Sequence, residues 1–175
     1  MGKKLAIFSI LLVSMGGVYF FSKKTPSSVH SSEDCAFCNQ AILNYQKFYE
    51  DELVLALYTH KPIFPAHCLI IPKRHVERFE MLTDEEMIQI GKVIKKVHLA
   101  AMKTFDTCSS YVLIQKNGPE ARQTVPHVHF HYISRMTGDD SGIQFWLKMF
   151  VANAKRPISQ DHMRETVEKL QQAMP

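Results

Sequence analysis

Three imidazoles at alternate positions, His127, His129 and His131, interleave with Val128, Phe130 and Tyr132. A period of two is that of a β-strand, so the rings are expected on one sheet face and the apolar residues on the other. Each ring carries two nitrogens that must be satisfied, and three in a row make a poor core. Spacing alone leaves a histidine metal site, a catalytic face and a solvated face open. The preceding loop, residues 117–126 (NGPEARQTVP), favours catalysis. Its glycine, prolines and small polar residues can turn backbone N–H groups, together with the Gln123 and Thr124 side chains, toward an anion. An anion cradle beside a nucleophilic imidazole suits phosphoryl or nucleotidyl transfer, in which ring nitrogen attacks phosphorus and water later resolves the phospho-histidine.

The elements that must carry these residues can be read in outline. Residues 53–58 (LVLALY), 68–71 (CLII) and 111–115 (YVLIQ) are short apolar runs expected as strands. A capping box of Thr83 and Glu86 opens a helix with Met87, Ile90, Ile94, Val97, Ala101 and Phe105 on one face. A second helix is expected from Ser159 to about Gln172, with Met163, Val167 and Leu170 inward. Residues 142–154 (GIQFWLKMFVANA) read either as a strand-to-helix segment or as a surface for a second subunit. Lys73, Arg74, Glu77 and Arg78 read as a solvated turn, and His98 as a packing or surface histidine. Of four cysteines, Cys35 and Cys38 have an informative spacing, better suited to two corners of a metal site than to a disulfide if histidines complete it. Cys68 reads as a small buried hydrophobe.

The net charge of +4 belongs to the N-terminus. Lys3, Lys4, Lys23 and Lys24 are the only charged residues before Glu33, and without them 17 basic residues balance 17 acidic ones. A balanced domain gives no support for a polyanion-binding surface, so no nucleic-acid partner is expected. Between the lysine pairs, Leu5 to Phe21 is an uncharged run of 17 residues, near the lower limit for a transmembrane helix. A retained anchor is favoured over a cleaved signal because Val18 to Phe21 is too bulky for a cleavage site. The organisation expected is a membrane anchor at 1–24, a polar tether at 25–32 and a domain at 33–175. Equal lysines on both sides leave open which side of the membrane the domain occupies.

Residues 117–135 (NGPEARQTVPHVHFHYISR) closely resemble the signature of the histidine-triad superfamily, above all its fragile-histidine-triad and bacterial nucleotide-hydrolase branches. The resemblance implies an α+β fold: an antiparallel sheet of about five strands with one long helix and a C-terminal helix, paired as a homodimer. It implies a nucleotide hydrolase or nucleotidyl transferase acting through a covalent histidine–nucleoside monophosphate on dinucleoside polyphosphates or nucleoside phosphoramidates. His129 would be the nucleophile and His131 would bind phosphate, with Gln123, Thr124 and Asn117 as further phosphate contacts. His67, within residues 65–73 (PAHCLIIPK), matches the distant histidine that hydrogen-bonds to the triad strand. Cys35, Cys38, His75 and His127 resemble a structural zinc tetrad of some members, and a zinc-bound His127 could not attack phosphorus. Trp146 is a candidate to reach the substrate of a neighbouring subunit, as C-terminal residues do in some relatives. Two positions depart from the pattern: Arg122 stands at a usual glycine, and Thr59 where a ribose-binding Asp or Asn is expected. They keep alternative functions open, a membrane-tethered nucleotide- or zinc-binding module with little catalysis.

Overall fold

The computed structural model describes residues 32–139 and 142–175, so the anchor expected at 1–24 lies outside the described residues, as does most of the tether. Among the described residues no helix is long and apolar enough to cross a membrane. Five strands, β1 (Lys47–Glu50), β2 (Val54–Tyr58), β3 (His67–Pro72), β4 (Cys108–Gln115) and β5 (Phe130–Met136), form one antiparallel sheet in the order β1-β2-β3-β5-β4. The helices are α1 (Gln40–Gln46), α2 (Asp84–Thr104), α3 (Ile143–Val151) and α4 (Gln160–Ala173).

β2 and β3 are uncharged and buried along their whole length, as central strands covered on both faces must be. Val54, Ala56, Tyr58, Cys68 and Ile70 face α2 and α4, and Leu55, Leu57, Leu69 and Ile71 point to the opposite face, where Cys35 and Phe37 cover them. The capping box of α2 is formed as expected: Thr83 Oγ1 accepts from Glu86 N, and Glu86 Oε2 accepts from Thr83 N. The expected stripe holds at Ile90, Ile94, Val97 and Ala101, all buried, and is broader than read. Met87 is exposed, whereas Val93 and Ala100 are buried with Ile90 and Val97. Positions 90, 93, 97 and 100 alternate three and four apart, the seam a helix presents to a sheet. α4 starts at its Ser159 cap and buries Met163 and Leu170 on α2 and the sheet.

Arg74 is exposed, at 51% of its side chain, as the solvated turn expected of Lys73, Arg74, Glu77 and Arg78 requires, but its guanidinium is also paired. Its Nε and Nη2 donate to the two oxygens of buried Glu86 at 3.0 and 2.8 Å, and Nη2 also reaches Met81 O. This fork holds the Glu86 carboxyl below its ordinary range and ties the end of β3 to the start of α2. The ambiguous stretch from Gly142 resolves as helix α3, held by Phe145 stacked on Phe64 with ring centroids 5.8 Å apart.

Candidate functional site

The alternation of the histidines places them as expected, but only part of the segment is laddered strand. β5 begins at Phe130, and Val128 N donates instead to Val76 O at 2.6 Å, so residues 127–129 form an extended lead pinned to the loop after β3. Val128 and Tyr132 are buried with the helices, and Phe130 packs there too. His131 pairs in register with Leu69, two positions from His67, which makes His67 and His131 diagonal neighbours on one sheet face.

Backbone partners settle the tautomers of this face. Ile63 N donates to His67 Nδ1 at 3.3 Å, so the His67 proton sits on Nε2. That proton is donated to His131 Nδ1 at 3.0 Å, which leaves Nε2–H of His131 as the remaining donor of that ring. His129 donates Nδ1–H to His127 O at 2.7 Å, so its Nε2 carries the lone pair. The His129 and His131 rings lie edge to face, 5.0 Å between centroids. One ring thus presents a nucleophilic nitrogen and the next a donor.

His67, His129 and His131 line a cleft of about 520 Å³, together with Phe37, Thr59, Leu69 and Lys116. His129 is only 3% exposed, so the ring forms the floor of the cleft. Burial lowers the pKa of all three histidines, His67 to about 4 and His131 further. Lys116 adds to the effect on His129 and His131 and brings positive charge to the cleft. In the unfolded chain His67 titrates at its ordinary value of 6.5, so below that pH the unfolded state binds more protons. Stability is full above pH 6.5 and falls as the pH drops toward 4, by about 3 kcal/mol for His67. Urea unfolding at about pH 7.5 and about pH 5 is expected to show a clearly lower midpoint at the acid value, with a smaller drop in His67→Asn.

Cys35, Cys38, His75 and His127 bring one donor atom each to within 4.8 Å of one another. His127 Nδ1 is 3.4 Å from Cys35 Sγ and 3.7 Å from Cys38 Sγ, and His75 Nδ1 is 3.5 Å from Cys38 Sγ. Tetrahedral zinc separates its ligand atoms by about 3.5 Å, so the four fit a closed Cys2His2 site. The tautomer fits as well, because His127 donates Nε2–H to Pro72 O at 2.9 Å and turns its Nδ1 lone pair to the thiols. Nε2 of His75 is buried without a hydrogen bond, 3.9 Å from Glu77 Oε1. Phe37, between the cysteines, stands edge-on to His129 with centroids 5.2 Å apart. The spacing of the cysteines contained that signal, but sequence reasoning drew only the metal from it. Lys116 was missed because nothing distinguishes a lysine at a strand end from a solvated one.

The loop before the histidines is braced by its own side chains. Gln123 Oε1 accepts from Gly118 N at 2.6 Å, and Gln123 Nε2 donates to Glu77 O and His127 O. Asn117 Oδ1 accepts from Phe79 N, and its Nδ2 donates to Glu80 Oε2, both at 2.8 Å. Gln123 lines a smaller pocket of about 220 Å³, Asn117 lines neither pocket, and Thr124 borders both. Of the residues expected to contact phosphate, the structure therefore brings His131 and Thr124 to the histidine cleft, while Gln123 and Asn117 are engaged in the loop.

Arg122 adopts φ 59° and ψ 39°, the left-handed region. The guanidinium-bearing residue at a position suited to glycine carries a cost of about 1 kcal/mol or more. Arg122→Gly is expected to raise the free energy of unfolding in urea by roughly that amount; an unchanged or lower value would mean that the arginine side chain offsets the strain.

The family profile described as HIT domain matches residues 42–138. An uncharacterized HIT-like protein of Methanocaldococcus jannaschii is 39% identical over 116 residues, 63% of this chain and 86% of that one. The asymmetrical bis(5'-nucleosyl)-tetraphosphatase of Schizosaccharomyces pombe is 42% identical over 96 residues, 55% of this chain. The chain spans about half the length of that hydrolase, 52%. The crystal structure of a Zn-bound histidine triad family protein from Mycobacterium smegmatis superposes with a TM-score of 0.62 at 25% identity, covering 81% of this chain and 96% of that one.

Proposed function

Because the chain belongs to the HIT domain family, we propose that it is a nucleotide hydrolase whose nucleophile is His129 Nε2. The observation that carries this reading is the His129 Nδ1–H bond to His127 O, which leaves Nε2 unprotonated in a ring that lines the cleft. Substrates are dinucleoside polyphosphates or nucleoside phosphoramidates. The Nε2 lone pair forms a bond to the α-phosphorus, and the bridging P–O or P–N bond breaks, its electrons leaving with the departing group. His131 Nε2–H donates to a non-bridging oxygen, and Lys116 offsets the developing charge. Water then attacks phosphorus, the N–P electrons return to Nε2, and the water proton passes to solvent as the nucleoside monophosphate is released. Thr124 contributes a hydroxyl at the cleft edge, whereas Gln123 and Asn117 act by holding the loop. Cys35, Cys38, His75 and His127 would hold zinc, which would supply a structural cross-link.

Two further elements complete the reading. The run from Leu5 to Phe21 tethers the domain to a membrane. Two copies pair through edge strand β4, where Tyr111 and Leu113 are exposed beside Leu99 and Met102 of α2. Incubating the protein with diadenosine polyphosphates and adenosine phosphoramidate and following adenosine monophosphate release tests the activity. Turnover of either class is expected; binding without product would identify a nucleotide-binding module instead.

A further inference from the structure

Helix α3 is apolar on two sides. Phe145 packs on Phe64, and Met149 and Ala152 line the histidine cleft, so one side is committed to the domain. The other side exposes Ile143 by 75%, Trp146 by 65%, Leu147 by 56%, Phe150 by 83% and Val151 by 44%. Their spacing of three, four, seven and eight residues from Ile143 puts all five on one stripe. A helix already held by its inner side does not need an outer apolar stripe for folding, and such a patch marks a contact surface.

We infer that this outer face of α3 lies in the surface of an anionic lipid bilayer, the bilayer to which the N-terminal segment tethers the domain; the inference rests on that tether reading. Charge favours lipid over a second copy of the chain. From Gly142 to Gln160 there is no acidic residue; Lys148 Nζ is turned inward, 4.9 Å over the Phe64 ring, and the cations left for a partner are Lys155 and Arg156. Anionic headgroups neutralise them, whereas a two-fold pairing of this face would set the same cations against each other. Aromatic and aliphatic residues flanked by lysine and arginine are the composition of a helix lying at a lipid interface.

Chain geometry favours the same occupant. The tether, Thr25–Ser32, is eight residues long and reaches at most about 28 Å when extended. Four residues beyond the tether, Ala36 and Phe37 line the cleft whose other lining includes Met149 and Ala152. The tether therefore delivers the domain to the bilayer by its cleft side, within reach of α3. At the effective concentration such a tether imposes, a weak interfacial affinity is enough to keep α3 docked.

Trp146 is the only tryptophan of the chain and reports directly on this face. The full-length protein is reconstituted into phosphatidylcholine–phosphatidylglycerol vesicles with or without brominated acyl chains. Brominated chains are expected to quench about half or more of the Trp146 emission, and the double variant Ile143→Glu, Phe150→Glu should float with the vesicles yet lose that quenching. Unquenched emission from wild-type protein that floats would overturn the docking and leave the tether standing. Protein that does not float overturns the tether and the docking together. Emission shielded from aqueous iodide but untouched by brominated lipid would assign the face to a second copy and refute the proposal.

Discussion

His129→Asn is expected to lower turnover by at least about 10⁴-fold while leaving the fold in place. Asparagine can still donate to His127 O, the bond that now fixes the ring, but it offers no nitrogen lone pair to phosphorus. The neighbouring ladder from Ile63 through His67 to His131 does not pass through His129 and stays intact. His131→Asn makes the informative contrast. It removes a donor and not the bond-forming atom, so a smaller loss, on the order of 10²–10³-fold, is expected. Thermal melting of both variants close to the parent would show that the losses are chemical. Comparable residual activity in the two would mean that attack does not come from His129.

The second large effect concerns the Cys2His2 cluster. Without a metal, Cys38 is a half-buried thiol whose pKa is pushed up to about 11 by desolvation and by the adjacent Cys35. Metal coordination inverts that preference, because thiolates are the ligands. The site joins the N-terminal knuckle, the end of β3 and the lead into β5, which are 37 to 92 residues apart in sequence. Cys35→Ser is expected to remove the bound equivalent of zinc and to cost about 5 kcal/mol, or roughly 10–20 °C in Tm for a domain of this size. Zinc content by mass spectrometry and Tm by calorimetry check this without reference to activity. A protein that holds no zinc, and whose Tm is unmoved by both the substitution and a chelator, would contradict it.

How much could be read beforehand follows from physical signal strength. The capping box of Thr83 and Glu86 and the period-two histidines are local patterns: the box forms in full, while of the three histidines only His131 lies within the strand β5. β1, with the sequence KFYE, carries a charge at each end and buries only Phe48, so it has no strand signature of its own and exists because β2 pairs with it. α1 is a single short helix beginning at an Asn39 cap, too brief for periodicity to register. The ion pair of exposed Arg74 was not legible because its partner, Glu86, is twelve residues away and already spoken for by the cap. Asn117 and Gln123 have side chains suited to phosphate, yet Gln123 satisfies the N–H of Gly118 in a turn at φ +95°, and Asn117 satisfies the N–H of Phe79 after β3. The ambiguity of residues 142–154 had a real cause, since α3 is apolar toward the domain and away from it. Resemblance to the histidine-triad signature supplied the zinc tetrad that spacing alone left open, and the four donors converge in the fold.

The most direct measurement is mass spectrometry of the protein quenched in acid-free denaturant during turnover of a diadenosine polyphosphate. A fraction of the chain should carry the mass of one adenosine monophosphate on the peptide containing His129, and His129→Asn should carry none. Steady turnover with an unmodified wild-type chain, or with the adduct on another residue, would contradict the assignment of His129 Nε2 as the attacking atom.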